Sequence, residues 1–382
     1  RHVDPWFESH SADEFSDVLL CAGLIHDIGN PPFGHFGEYA IREWFQAHLH
    51  EMYIGERRIT DILTPWQLQD LYSFEGNAQS LRLLSTTPYL GENHGFNLSC
   101  SVLGTIMKYP ICSNDFINDN NPRGYRKIGY YYSEKDVFED ISMTLGLNGA
   151  WHPMSYLLEA ADDIAYRTSD LEDAIVKKVI TFQHIVAAFR SFCLKDDISD
   201  SVRYHMGQLE QYYHEEVSRE HRKPELTAVQ RWSRYIQDIM MQDAVDAFII
   251  NYDKLINGNF IGDLFDDTPS GNIIQAIAAV SEEHIYTSSI KTIPELFGRR
   301  VISSLLDQFV PTAILFDSGQ PLTFIQRRTM DTISGFYKSM YQDSSQGKPE
   351  GEKLYLRLLL ITDYISGMTD SYAKRLYQEL FV

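Results

Sequence analysis

Three groups of side chains along this 382-residue chain have types and spacings suited to chemistry. His26 and Asp27 stand side by side, followed by Gly29-Asn30-Pro31-Pro32, and nine and twelve residues after His26 come His35 and Glu38. Taking an imidazole and a carboxylate out of water without partners costs on the order of several kcal/mol. A divalent metal, which accepts N and O ligands together, is one way to satisfy them; a hydrogen-bonded helix cap is another. The paired prolines end one helix and the glycines let the chain turn tightly, so His35 and Glu38 are delivered beside the first pair. In EAADDIAYRTSD (159–170), Asp162, Tyr166 and Asp170 fall at i, i+4 and i+8 and share one helix face. Acid, phenol and acid in line on a partly apolar helix suggest a site, although a solvated face with Asp163 and Arg167 exposed has the same spacing.

The elements that position these residues read as helices. The run Asp17 to Ile28 (DVLLCAGLIHDI) is apolar almost all round, as expected of a helix in the middle of a core. Ile164, Leu171, Ile175 and Val179 keep helical spacing across Ala161 to Ile180, and Leu354 to Leu380 behaves similarly. Ser113 to Arg126, Asn257 to Asn272 and Asp343 to Glu352 carry the Gly, Pro, Asn and Asp of surface loops. The best candidate for a short strand or hairpin is Gly129 to Ser133 (GYYYS). The expected fold class is all-α: one large helical domain with satellites and no clear linker.

Composition narrows the function. A 44% hydrophobic content excludes a disordered or fibrous chain. Thirty-three basic against 53 acidic residues leave a net charge of −20, which repels polyanions such as duplex DNA over any broad face. The longest apolar run, Val18 to Ile25, is far short of the roughly 20 residues that cross a bilayer. With no signal-peptide pattern and four cysteines lacking CxxC spacing, a soluble, cytoplasmic protein with reduced thiols is expected.

Four blocks, HDIGNPPFGHFGE (26–38), FEGNAQSLR (74–82), EAADDIAYRTSDLED (159–173) and DYISGMTD (363–370), together resemble the deoxyguanosine triphosphate triphosphohydrolases of the HD-domain superfamily, in its bacterial branch. They occur in the family's order and span nearly the whole chain. The resemblance implies an HD-domain helical core at 1–180 carrying a metal site, with at most a short hairpin. A helical region at 181–382 would complete the nucleotide pocket and supply oligomer contacts. By resemblance, His26, Asp27 and Asp162 are metal ligands, and His35 with Glu38 is the catalytic pair. Tyr166 and Asp170 line the substrate's sugar and phosphates, and Lys127 and Arg300 match basic residues on the phosphate and nucleotide sides. Asn30 lies in the metal-proximal turn and is assigned to substrate binding, while Asn77 and Gln79 fall near the site. The family's first metal ligand, a His in an Arg-x-x-His setting well upstream, has no counterpart here; His2 and His10 do not match it, and the expectation is that this segment lies outside the sequence.

The activity implied is metal-dependent hydrolysis of dGTP, or of other dNTPs, to a deoxynucleoside and tripolyphosphate. A triphosphate brings about four negative charges to a protein of net charge −20, so a metal, Lys and Arg must be concentrated at one point. His plus carboxylate ligation suits Mn²⁺ first, with Fe²⁺ or Mg²⁺ as alternatives. His35, held by Glu38, could serve as general base toward water or as general acid toward the leaving oxygen. The partners implied are a homo-oligomer, up to a hexamer, and single-stranded DNA. The competing readings are another HD phosphohydrolase acting on a nucleoside monophosphate or a nucleotide signal, and a non-catalytic HD scaffold binding nucleotide or single-stranded DNA.

Overall fold

The structure, a computed structural model, describes residues 11–86, 95–118, 120–121, 123–285 and 289–382. Among the described residues the first helices are α1 (Ala12–Ile25), α2 (His35–His48), α3 (Pro65–Tyr72), α4 (Gly76–Thr86), α5 (Cys100–Ile106), α6 (Ser113–Ile117) and α7 (Lys135–Leu145). Six follow: α8 (Pro153–Val176), α9 (Phe182–Cys193), α10 (Asp200–Ser218), α11 (Pro224–Ile250), α12 (Tyr252–Ile256) and α13 (Pro269–Val280). The last five are α14 (Ser289–Leu315), α15 (Phe324–Thr332), α16 (Gly335–Ser345), α17 (Glu350–Ser366) and α18 (Asp370–Phe381). The fold is all-α apart from a two-residue hairpin, Tyr53–Ile54 against Arg57–Arg58. Among the described residues no helix is long and apolar enough to cross a membrane.

The chain divides into two compact units, one within Pro153–Pro294 and a larger one of Ala12–His152 with Glu295–Val382. The larger unit is organised around α17, whose residues from Leu354 to Ser366 are all buried. From Leu354 on no side of that helix meets water, and its charged members Arg357 and Asp363 are buried in ion pairs with Glu350 and Arg82. Around it pack Ile41, Trp44 and Phe45 of α2, at i, i+3 and i+4, and Val301, Leu305, Phe309 and Ala313 of α14. Trp44 Nε1 donates to Asp307 Oδ1 at 2.7 Å, so the largest side chain of this face also fixes α2 along α14. In the other unit Trp232 of α11 is wholly buried, its indole N–H donating to the His205 carbonyl of α10 at 3.0 Å, and Gln237 ties α11 to Thr168 of α8 at 2.8 Å.

Several expectations from the sequence need correction. The helix expected over Asp17 to Ile28 ends at Ile25, only Ala22 of α1 is buried, and Leu20 and Leu24 are exposed. An apolar pattern reports side-chain type and not what surrounds it. Gly129 to Ser133 forms no strand; Tyr130 makes a single bridge to Cys112, and the Tyr132–Glu134 turn is 3₁₀. Its aromatic side chains read as β because they pack inward, with Tyr131 1% exposed. The segment Leu354 to Leu380 is two helices, broken at Gly367, where Thr369 caps α18 through its hydroxyl. Residue 180, where the sequence suggested dividing the chain, lies between α8 and α9.

Candidate active site

The site of the larger unit is built where the turn after α1 meets the start of α4. Gly29 N–H donates to Ser80 Oγ at 3.0 Å, and the same hydroxyl donates to the His26 carbonyl at 3.1 Å. Backbones approach so closely here that a Cβ on Gly29 would lie 2.2 Å from the Ser80 nitrogen and 2.3 Å from the Gly76 carbonyl oxygen. Gly76 is equally confined, since its Cβ would meet Asn30 Oδ1 at 2.2 Å and Glu38 Oε1 at 2.7 Å. These two glycines bring Asn30 and Glu38 onto one helix start. Gly29→Ala is therefore expected to lower stability by about 1–3 kcal/mol, because the overlap is with backbone that cannot swing aside. Urea denaturation checks this; an unchanged midpoint would show that the turn can withdraw from α4.

The next turn aims His35. Phe33 and Gly34 both adopt positive φ, 67° and 59°. Glycine takes that conformation freely, but a phenylalanine gives up about 1–2 kcal/mol. Two remote contacts hold Phe33 there. Its N–H donates to Asp370 Oδ1 at 2.9 Å, and its ring lies against Gly298 of α14, where a Cβ would come within 2.6 Å of the ring. Helix α2 then starts at His35, and Gly37 lets the Pro32 carbonyl pass close to it.

His35 and Glu38, one turn apart, form an ion pair, with His35 Nδ1 3.1 Å from Glu38 Oε2. The imidazole is 69% exposed and the carboxylate 3%, so the ring faces solvent while its partner is fixed from behind. Glu38 Oε1 accepts from the Gly76 N–H at 2.9 Å, the first N–H of α4. The hydrogen bond to Glu38 raises the His35 pKa above its ordinary value, against burial and the charge of Lys127. Burial pushes Glu38 up, yet the hydrogen bond and charge of His35 bring it below the usual carboxylate range. Around the pair, Arg42 Nη2 reaches Glu75 Oε2 at 2.7 Å and Glu38 Oε2 at 3.5 Å, and Lys127 Nζ reaches Glu75 Oε1 at 3.2 Å. Burial first, and then the Glu38 charge, lift the pKa of Glu75.

His26 and Asp27 sit in the turn that ends α1. The Gly23 carbonyl lies 2.9 Å from His26 Nδ1, and since a carbonyl only accepts, Nδ1 is the donor in this contact. That Nε2 lies 3.5 Å from Asp27 Oδ2. A ring nitrogen and a carboxylate oxygen are donor types that a divalent cation takes together, and a bond from the second ring nitrogen to a carbonyl is the usual support of a ligating histidine. Among the described residues no group of three or more His, Cys, Asp or Glu side chains is gathered to hold a metal ion. His2 and His10 lie outside the described residues.

The smaller unit carries the remaining acidic positions. Asp162, Tyr166 and Asp170 all lie on α8, with Tyr166 54% exposed. Between them Arg167 Nε donates to Asp163 Oδ1 at 3.1 Å, so the pair that the alternative, solvated-face reading left exposed is partly buried and bonded within the helix. Arg300 of α14 is exposed, and its neighbour Arg299 pairs with Glu43 of α2 at 2.9 Å.

Two site residues escaped the sequence reading. Arg42 follows Glu38 by four residues on one helix, the spacing at which helical side chains meet, and this signal was available. Glu75 lies in the same block as Asn77, which donates to it at 3.0 Å. Gln79 does not point toward this group; it donates to Asp363 Oδ1 at 2.7 Å, beside the two hydrogen bonds that Arg82 donates to the same carboxylate.

An all-α unit with a His-Asp turn closing its first helix defines an HD-domain protein, and the HD domain family profile matches residues 5–73. Over 384 residues the chain is 37% identical to the deoxyguanosinetriphosphate triphosphohydrolase-like protein of Listeria innocua serovar 6a, covering 99% of this chain and 80% of the relative. It is 31% identical to the like-named protein of Pseudomonas aeruginosa PAO1 over 95% of the chain and 76% of the relative. It is 30% identical to the deoxyguanosinetriphosphate triphosphohydrolase of Yersinia enterocolitica over 96% and 79%. The chain belongs to this family of deoxyguanosinetriphosphate triphosphohydrolases and triphosphohydrolase-like proteins.

Proposed function

We propose that this protein hydrolyses dGTP, and other dNTPs to a degree set by its pocket, at the α-phosphate. Water adds to the phosphorus and the P–O5′ bond breaks, giving a deoxynucleoside and tripolyphosphate. The observation that carries this reading is the His35–Glu38 pair, an exposed imidazole on a buried carboxylate, set into the same helix start as the turn of Asn30. The names of the relatives support the substrate class.

His35 would donate a proton to O5′ as the bond breaks. Its raised pKa keeps the imidazolium populated above the ordinary imidazole range, which favours the acid role over the base. Glu38 holds Nδ1, leaving Nε2–H to point at the leaving oxygen. Lys127 and Arg300 would receive phosphate oxygens, and Asn30 would bind substrate next to the metal turn. His26, Asp27 and Asp162, with an upstream histidine, are the residues proposed to hold a divalent metal, Mn²⁺ before Fe²⁺ or Mg²⁺. When bound, such an ion supplies Lewis-acid polarisation of the phosphoryl group. Chromatographic product analysis with the four dNTPs and Mn²⁺ tests the reaction: tripolyphosphate is expected, and pyrophosphate or orthophosphate as the primary product would refute it.

Tyr166 and Asp170, one and two turns beyond Asp162 on α8, would contact the sugar and phosphates. A ring packed on the sugar leaves a 2′-hydroxyl neither room nor partner, and an unpaired buried hydroxyl costs on the order of 1–3 kcal/mol. Tyr166→Ala is thus expected to gain GTP turnover and lose most of the discrimination in kcat/KM between dGTP and GTP. An unchanged ratio with both rates reduced would make Tyr166 structural.

A further inference from the structure

The carboxylate of Glu75 has no part in the reaction as written, yet it is 3% exposed and surrounded by charge. Its backbone is fixed first. The Glu75 N–H donates to the Tyr131 hydroxyl at 3.2 Å, and that hydroxyl donates to the Glu75 carbonyl at 3.1 Å. The side chain then divides its oxygens: Oε1 takes Lys127 Nζ at 3.2 Å and Asn77 Nδ2 at 3.0 Å, while Oε2 takes Arg42 Nη2 at 2.7 Å. Arg42 is anchored in turn by Nε on the Phe74 carbonyl and stands 3.5 Å from Glu38. Lys127 is the mobile member: its ammonium ends a flexible four-carbon stem, and the side chain is 32% exposed.

We propose that Glu75 is a positioning residue that acts through Lys127, holding the ammonium beside the His35–Glu38 pair so that it is in place before an anionic phosphate ester arrives. Without this partner the lysine stem would sample many rotamers, and the anion would have to order it on binding. Arg42 closes the other side, so the two buried carboxylates and two cations balance while His35 is neutral. The same arrangement couples Lys127 to His35. The charged groups around that imidazole are Glu38, Lys127 and Glu75, with Arg42 behind Glu38; Glu38 and Glu75 raise its pKa and Lys127 lowers it. Moving Lys127 onto a phosphate weakens a charge that lowers the His35 pKa.

The kinetic arm of the test rests on the proposed dGTP activity, and the spectroscopic arm does not. Glu75→Gln is the informative variant: its amide oxygen can keep Arg42, but its NH₂ then faces the donors Lys127 and Asn77. At about pH 6, where imidazole is mostly protonated, E75Q is expected to raise KM for dGTP roughly tenfold, with kcat changed less than about threefold, as loss of one charge-assisted hydrogen bond predicts. In a Lys127→Met background E75Q should add nothing to KM. An equal KM increase in both backgrounds, or a fall in kcat matching the rise in KM, would overturn the proposal. By NMR on the full-length protein without nucleotide, the His35 midpoint is expected to move down in E75Q and up in K127M; one midpoint for all three proteins would also overturn it. Should E75Q not fold, Glu75→Asp replaces it, since the shorter carboxylate cannot span Arg42 and Lys127, and the same KM comparison applies. If the wild type turns over no deoxynucleotide, the proposed activity fails, and binding of inorganic tripolyphosphate then decides the role of Glu75: weaker in E75Q than in wild type, but equal in K127M with and without E75Q.

Discussion

His35→Ala is expected to lower kcat for dGTP by roughly 10²- to 10⁴-fold, the range a positioned acid-base group supplies. The fold should survive, because the ring is 69% exposed and fills no core volume. The pH dependence carries the sign of the role. Glu38 raises the His35 pKa, so with the imidazolium as acid, kcat holds through the ordinary imidazole midpoint of about 6.5 and falls only as pH passes the raised value. Glu38→Gln removes the charge and should move that alkaline limb to lower pH. Stability follows the same direction: the ion pair contributes below the unfolded midpoint and is lost as pH rises through the folded one. A limb that rises with pH would assign His35 as base, and a loss under threefold in H35A would remove it from proton transfer.

The largest structural effect is expected at Asp363. Arg82 gives its Nε and Nη2 to the two oxygens of this carboxylate, both at 2.8 Å, and its Nη1 to Glu134 at 2.9 Å, with all three groups at most 2% exposed. Although burial disfavours the charged guanidinium, the carboxylates of Asp363 and Glu134 hold its pKa above the ordinary arginine value. Asp363→Ala would strand much of that charge in the core and also release Gln79. Breaking a buried pair in this way costs about 3–5 kcal/mol, a large share of the roughly 5–15 kcal/mol that holds a domain together. Urea denaturation should show the loss, and a change below about 1 kcal/mol would mean that Arg82 finds new partners. The pH response of this cluster comes through Glu134, whose pKa burial raises despite Arg82. Its contribution is complete below the unfolded carboxylate value and declines as pH climbs through the folded one.

The residues legible in the sequence are those whose meaning is local. His26, Asp27, His35 and Glu38 lie within thirteen positions, and helix periodicity with paired prolines was enough to place them on neighbouring turns. The helical class was legible for the same reason, because the 3.6-residue period recurs within each segment. What escaped depends on distance along the chain. Nothing near Arg82 announces a carboxylate 281 residues away, and nothing near Phe33 announces Asp370. The misreading of GYYYS has the same origin: its tyrosines are inward because Asp70, Glu75 and Cys112 come to meet them. The exposure of Leu20 and Leu24 likewise could not be read from an apolar run, since burial belongs to the neighbours and not to the run.

The hold of Asp370 on Phe33 bears on protein synthesis. The turn that directs His35 is translated early, but the carboxylate that keeps Phe33 in its left-handed conformation lies 337 residues later. A ribosome adding about 5–20 residues per second needs on the order of half a minute to cover that stretch. Throughout that interval the nascent chain has His35 and Glu38 in covalent form but lacks the contact that fixes the turn before them. His35 therefore gains its folded direction only once α18 has left the ribosome and docked.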